Sequence, residues 1–226
     1  MIISHKSKYI FVHIPKTAGT SIEAEFNICE ACVLSGEVFN FFDKPSIAVY
    51  KHADLNFIKW LWGNEIYNSY YRFSIVRNPF DRIISMYWFF RAMCGYCSEP
   101  WLVKLMMLNG KDILDLNSWI IRLLTEKFLK LKDEALRSQI EYIYVDDRID
   151  CEIFKFEDGL NNAVTTISKN IQKKDKEFPI ISVLSQQVNT KARQCRRNYR
   201  EVINCEARDV IEVFYKRDFE LLGYEW

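Results

Sequence analysis

The stretch Phe11-Val12-His13-Ile14-Pro15-Lys16-Thr17-Ala18-Gly19-Thr20-Ser21 runs from an apolar strand into a short loop, and Ile22-Glu23-Ala24-Glu25-Phe26 continues as a helix. A helix start leaves backbone N–H groups without intrahelical partners and carries partial positive charge, so an anion docks there readily. Lys16 adds a full charge, Thr17, Thr20 and Ser21 add hydroxyls, and Gly19 beside Ala18 lets the backbone come close. Lys16 to Ser21 therefore reads as a phosphate cradle. A Walker A loop, G-x-x-x-x-G-K-[ST], places its lysine directly after the second glycine. Here Lys16 precedes the glycine by three residues, and Pro15 stands where a glycine would be expected. The loop is shorter and stiffer, with room for a diphosphate-sized group and no evident provision for a triphosphate with Mg²⁺. An ordinary strand-to-helix turn is the alternative.

Outward from this loop, strands alternate with helices. Lys8 to Ile14, Ser46 to Tyr50, Tyr71 to Val76 and Cys151 to Phe156 read as strands. Helices are expected over Thr20–Phe26, Asp54–Trp62, Pro79–Arg91, Asp112–Lys132, Asp158–Lys169 and Glu201–Lys216. The third begins at Asn78-Pro79, a cap followed by the one residue that loses no bond at the first helical position. Its Phe80, Ile83, Ile84, Tyr87 and Phe90 share a face. The expectation is an α/β fold: a single P-loop-like domain over residues 1–226, with a central parallel sheet flanked by helices. Ligands of such sheets sit at the carboxyl ends of the strands, where the Pro15–Ser21 loop lies.

Composition narrows the classes. A 226-residue chain with 49% hydrophobic and 15% aromatic residues suits a packed globule. A net charge of +1 gives no global field toward nucleic acid or an anionic membrane, so an anion site must be local. Ile83 to Phe90 is too short to span a bilayer, and no leader is visible before the first strand; the expectation is a cytoplasmic protein, although a chain parted from a membrane anchor would read alike. Of seven cysteines, Cys29/Cys32 and Cys94/Cys97 form two C-x-x-C pairs that invite a zinc reading. They lie on separate strand–helix units without a Gly/Pro-rich knuckle, so incidental reduced thiols are preferred over zinc or disulfides.

Arg77-Asn78-Pro79-Phe80-Asp81-Arg82-Ile83-Ile84-Ser85 repeats the logic at another strand end. Arg77 closes the strand, and Ser85 lies roughly 9 Å along the helix from Pro79 at about 1.5 Å per residue. An arginine fork and a serine could grip one phosphate between them. A surface ion pair of Arg77 or Arg82 with Asp81 is the alternative.

The two segments H-I-P-K-T-A-G-T-S and R-N-P-F-D-R-I-I-S-M-Y resemble the paired nucleotide signatures of sulfotransferases of the carbohydrate type, the group of heparan sulfate 2-O- and chondroitin sulfotransferases and their bacterial relatives. The likeness continues weakly through Phe154–Asp158, Val188–Thr190 and Tyr215–Tyr224, and leaves out about Cys94 to Arg137. The resemblance implies 3′-phosphoadenosine 5′-phosphosulfate (PAPS) as sulfuryl donor, without a metal. It implies the 5′-phosphosulfate on Lys16–Ser21, the 3′-phosphate on Arg77 and Ser85, and Thr190, Lys191 and Arg193 folded over the nucleotide. A carbohydrate or glycoconjugate hydroxyl would be the acceptor, with Cys94–Arg137 lining its pocket.

In such a reaction Lys16 stabilises the departing phosphate, and His52, in Tyr50-Lys51-His52-Ala53-Asp54, is the candidate base at the end of the second strand. A histidine capping the next helix or satisfied in the core is the alternative for His52. His13 reads as structural, and Glu157 as a possible second carboxylate or a salt bridge. Two further readings stand beside transfer: a P-loop nucleotide kinase, which lacks the lysine after a loop glycine, and a non-catalytic nucleotide-binding protein.

Overall fold

The computed structural model describes residues 2–29, 51–94, 106–108, 112–125, 134–185 and 198–226. The chain runs through strands β1 (Ile2–Ser4) and β2 (Tyr9–Val12), helices α1 (Gly19–Cys29) and α2 (Leu55–Ser69), strand β3 (Tyr71–Val76) and helix α3 (Pro79–Cys94). Short strands β4 (Met107–Leu108) and β5 (Asp112–Ile113) precede α4 (Leu116–Thr125). Helix α5 (Ile140–Ile143), strands β6 (Tyr144–Val145), β7 (Arg148–Ile149) and β8 (Glu152–Lys155), and helix α6 (Leu160–Gln172) follow. Helices α7 (Tyr199–Val202), α8 (Cys205–Phe214) and α9 (Lys216–Leu222) come last. Two compact units divide these elements, residues 1–77 with 139–188 and residues 78–138 with 189–226.

The first unit is a mixed α/β layer. Its sheet has the order β1-β2-β3-β8, with β2, β3 and β8 parallel and β1 antiparallel on the edge. The antiparallel β1 departs from the all-parallel expectation. It forms because residues 5–8 turn tightly, with Lys8 at φ 53° and the Ser7 N–H donating to Ser4 Oγ. Strand alternation sends Tyr9, Phe11, Phe73 and Ile75 to one face, where Ile22 and Phe26 of α1 and Val164, Ile167 and Ile171 of α6 bury them. On the other face the Arg72 guanidinium lies 4.4 Å over the ring of Tyr67 from α2. Both faces are thus covered, as the near-continuous apolar strands require.

The second unit is helical. The face read from sequence on α3 is buried throughout, and it packs with Trp119, Ile120 and Leu123 of α4 and with Ala207 and Ile211 of α8. Two expected helices are shorter or divided. Asp115 Oδ1 accepts the N–H groups of Asn117 and Ser118, so α4 starts at Leu116 and Asp112–Ile113 pairs as a strand instead. The terminal helix is divided into α7, α8 and α9: Asn204 caps a new start at Cys205 by accepting the Ala207 N–H, and the chain breaks again at Tyr215, whose φ and ψ are −101° and 25°. The expected strand Ser46–Tyr50 and the end of the 112–132 helix lie outside the described residues. None of the described helices is long and apolar enough to cross a membrane.

Arg82, 1% exposed, donates to the carbonyls of Ala135 and Arg137 at 2.9 Å each. A buried guanidinium used in this way is a staple of the fold. Replacing it as Arg82→Met strands two carbonyls and is expected to cost about 2–4 kcal/mol in urea unfolding, the size of two charge-assisted bonds.

Candidate functional site

The parallel register places Val12 opposite Ser74, so the loops after β2 and β3 leave side by side. The first is the cradle loop, residues 13–18, running into α1 as expected. Its backbone is unusual. Lys16 and Ala18 both adopt left-handed conformations, with φ of 67° and 70°. A non-glycine residue there costs about 1–2 kcal/mol, and alternation of this kind turns successive N–H groups into a concavity that fits an anion. Composition alone does not reveal this, since glycine, the usual marker, occupies neither position.

Thr17 is fully buried and its hydroxyl donates to the Ile14 carbonyl at 2.9 Å, closing the loop on itself. Its hydroxyl proton therefore serves the loop, and the backbone N–H is what Thr17 can offer a ligand. Ala18 accepts from the Ser21 N–H at 3.0 Å, which opens the first turn and leaves the Gly19 and Thr20 N–H groups in the orphan positions of a helix start. Thr20 is half-buried and Ser21 buried.

Gly19 serves a purpose besides flexibility. A Cβ added there would lie 2.0 Å from His13 Cδ2 and 2.3 Å from Nε2, so the His13 ring fills the space that glycine leaves. His13 is 3% exposed, and its Nδ1–H donates to Glu23 Oε1 at 2.8 Å. Burial lowers its pKa against the raising effect of Glu23, and the ring is neutral near pH 7. Glu23 also meets the Lys51 ammonium, Oε2 to Nζ, at 3.6 Å.

His52 follows directly. Lys51 is helical and His52 sits in the turn that leads into α2. Asp54, not His52, caps α2 by accepting the Phe57 N–H at 2.9 Å. The His52 Nδ1 instead lies 2.8 Å from the His13 carbonyl oxygen. A carbonyl only accepts, so the proton sits on Nδ1 and the Nε2 lone pair is left for chemistry. Burial, then the charge of a protonated His13, pull the His52 pKa down to about 4, so the imidazole is neutral and basic in form at pH 7.

Arg77 ends β3. The Gln139 side chain clasps its backbone, accepting its N–H at 2.9 Å and donating to its carbonyl at 2.8 Å. Its guanidinium lies 4.5 Å over the Phe156 ring and its Nη1 is 3.4 Å from the Lys16 carbonyl oxygen. Two cations thus share one corner. Burial, and next the charge of Arg77, lower the Lys16 pKa to about 8. Sequence reasoning missed Gln139 and the Phe156 shelf; the weak Phe154–Asp158 likeness was the available signal for the latter.

Ser85 is half-buried on α3 in the second unit. Glu157 is exposed in a 3₁₀ turn. Thr190, Lys191 and Arg193 lie outside the described residues, as do Cys32 and Cys97, so both C-x-x-C pairs do too in part. No group of three metal-ligating side chains occurs among the described residues. Cys151 is half-buried, and desolvation of its thiol pushes the pKa up to about 12, which keeps it inert.

Two expectations follow from this geometry. Gly19→Ala should lower stability by about 1–3 kcal/mol, because the His13 ring must give way in a packed site. Lys16 behaves in the opposite sense. Its folded pKa lies below its unfolded value, so its contribution to stability rises as pH climbs from about 8 to 10.5. Lys16→Met should accordingly raise the melting temperature of the free protein at pH 7, by the equivalent of about 1–3 kcal/mol.

In comparison with known proteins, residues 1–107 fit the sequence model of the sulfotransferase family. The matched stretch holds the cradle, His52, Arg77 and Ser85, and it ends before Thr190. No curated protein and no solved structure matches the chain.

Proposed function

Because residues 1–107 match the sequence model of the sulfotransferase family, we propose that the protein transfers the sulfuryl group of PAPS to a hydroxyl of a carbohydrate or glycoconjugate. The reading takes residues 1–226 as one P-loop-like sulfotransferase domain, since the family match runs across the boundary at Arg77 and Asn78. The observation that carries it is the corner where Lys16 and Arg77 crowd one another on a left-handed loop. Half-buried like charges held together are stabilised by an anion between them.

In this reading Lys16 and the N–H groups of Thr17 to Ser21 hold the 5′-phosphosulfate. Arg77 and Ser85 take the 3′-phosphate, and Thr190, Lys191 and Arg193 fold over the nucleotide. His52 takes the acceptor's proton at Nε2 while the new S–O bond forms in line with the one that breaks. The extra negative charge appears on the departing 3′,5′-adenosine bisphosphate, where Lys16 answers it. No step needs a metal. Lys16 without a preceding loop glycine disfavours a kinase, and the poised His52 tautomer disfavours a binding protein without chemistry.

Saturating 3′,5′-adenosine bisphosphate should raise the melting temperature by about 5–10 °C, as expected for ligand near 100 times its Kd. ATP with Mg²⁺ should do much less. Arg77→Ala should abolish most of the shift. A shift with ATP and Mg²⁺ alone would overturn the reading in favour of a kinase. His52→Ala should leave bisphosphate affinity within about twofold and remove most transfer.

Affinity should also depend on pH with a definite sign. Between about pH 7 and 8 Lys16 is protonated, the phosphates are fully ionised and bisphosphate binding is nearly flat; above pH 8 the free protein loses the Lys16 charge, and Kd should weaken by up to tenfold per unit in titration calorimetry.

A further inference from the structure

Glu23 touches both His13, whose carbonyl holds the candidate base, and Lys51, the residue before it. It stands in the second turn of α1, the helix that the cradle loop enters. One oxygen accepts from the His13 ring at 2.8 Å and the other lies 3.6 Å from the Lys51 ammonium. His13 in turn supplies the carbonyl that holds His52 Nδ1, and its ring meets the His52 ring edge to face at 4.6 Å between centroids. Lys51 is the residue directly before His52. The Glu23 carboxyl is 13% exposed. Burial alone would raise its pKa, yet the His13 bond and the nearby positive charges hold it well below the ordinary carboxylate range, so it carries full charge across neutral pH.

We infer that Glu23 is a positioning residue for sulfuryl transfer: by gripping the His13 ring and the Lys51 ammonium together, it fixes the tautomer and orientation of His52 and ties them to the cradle helix. The inference rests on the sulfotransferase reading. Three features make the grip specific. Gly19 leaves the room in which the His13 ring lies against the helix start, within reach of Glu23. His13 stacks on Phe11 at 5.8 Å, which anchors its other face in the sheet. Lys51 is the more exposed partner, at 40%, so the carboxylate also draws the otherwise solvent-facing end of the segment inward. A neutral imidazole in water populates both tautomers; here the Nδ1–H form is imposed by one carbonyl, whose position depends on the His13 ring.

Ring-¹⁵N-labelled histidine in the full chain reports the tautomer without any acceptor, and acceptor-free hydrolysis of PAPS reports the chemistry, with water giving its proton to His52. The wild type should show a single Nδ1–H signature for His52, assigned by its loss in His52→Gln. Glu23→Ala should mix in the Nε2–H form and lower kcat for PAPS hydrolysis at least tenfold, with KM for PAPS within about twofold. Glu23→Gln keeps an acceptor for His13 but loses the charge facing Lys51, and should fall between. If Glu23→Ala does not fold, Lys51→Met removes one grip and should give a several-fold loss in kcat with a broadened tautomer signal. An unchanged tautomer and unchanged kcat in Glu23→Ala, with the wild type hydrolysing PAPS, would overturn this inference alone. A wild type that neither binds 3′,5′-adenosine bisphosphate nor hydrolyses PAPS would overturn the sulfotransferase reading and the role in transfer with it.

Discussion

The parallel pairing of β2 with β3 is the constraint on which the site depends. Phe11 stands opposite Phe73 and Val12 opposite Ser74, with the two phenyl rings stacked at 5.2 Å and Ser74 Oγ donating to the Val12 carbonyl at 2.8 Å. A one-residue slip would turn every core side chain to the wrong face. It would also carry Arg77 away from the Lys16 carbonyl. The aromatic core therefore sets an electrostatic distance. Packing of Tyr9, Phe26, Phe73 and Phe178 holds two strand ends in step, and the strand ends hold two cations together.

That closeness has a cost in the free protein, and the surrounding bonds show where it is offset. Left-handed backbone at Lys16 and Ala18 costs about 1–2 kcal/mol per residue. The Thr17 hydroxyl closes the loop from within, Arg77 reaches its carbonyl from the next strand end, and Gln139 clamps Arg77 by its backbone. Each bond fixes a backbone position and leaves the charges facing one another. Such over-determination of a strained loop is characteristic of a place built to receive something.

How much of this was legible in the sequence depended on how local its cause was. The strand–loop–helix order around Lys16, the helix start at Asn78-Pro79 and the buried face of α3 are set by neighbours in sequence, and all were readable. The edge strand β1 was missed because its pairing depends on a turn held by Ser4 and Ser7 rather than by glycine. The long helices predicted near residues 112–132 and 201–216 overran because apolar periodicity continues through Asp115 and Asn204, whose side chains break it by capping. In the site, Lys16 and Arg77 were visible as residue types, whereas Gln139, Phe156 and Glu23 meet their partners across 62, 79 and 10 positions of chain. Only the folded register brings the first two into contact.

The same geometry makes the two halves of the site depend on each other. His52 with a pKa near 4 has the right form for a base and little strength as one. What depresses it is first of all burial, and what depresses Lys16 is burial and then the charge of Arg77. In the proposed reaction a multiply charged nucleotide on the cradle would keep Lys16 charged above pH 8 and strengthen His52 in the same event, with Glu23 keeping the ring aimed. On the proposed reading the donor must therefore bind before the base is effective, so an acceptor hydroxyl meets a competent His52 only when there is a sulfuryl group to receive. The weakness of the base in the free protein is then a consequence of the same buried charge that recruits the donor.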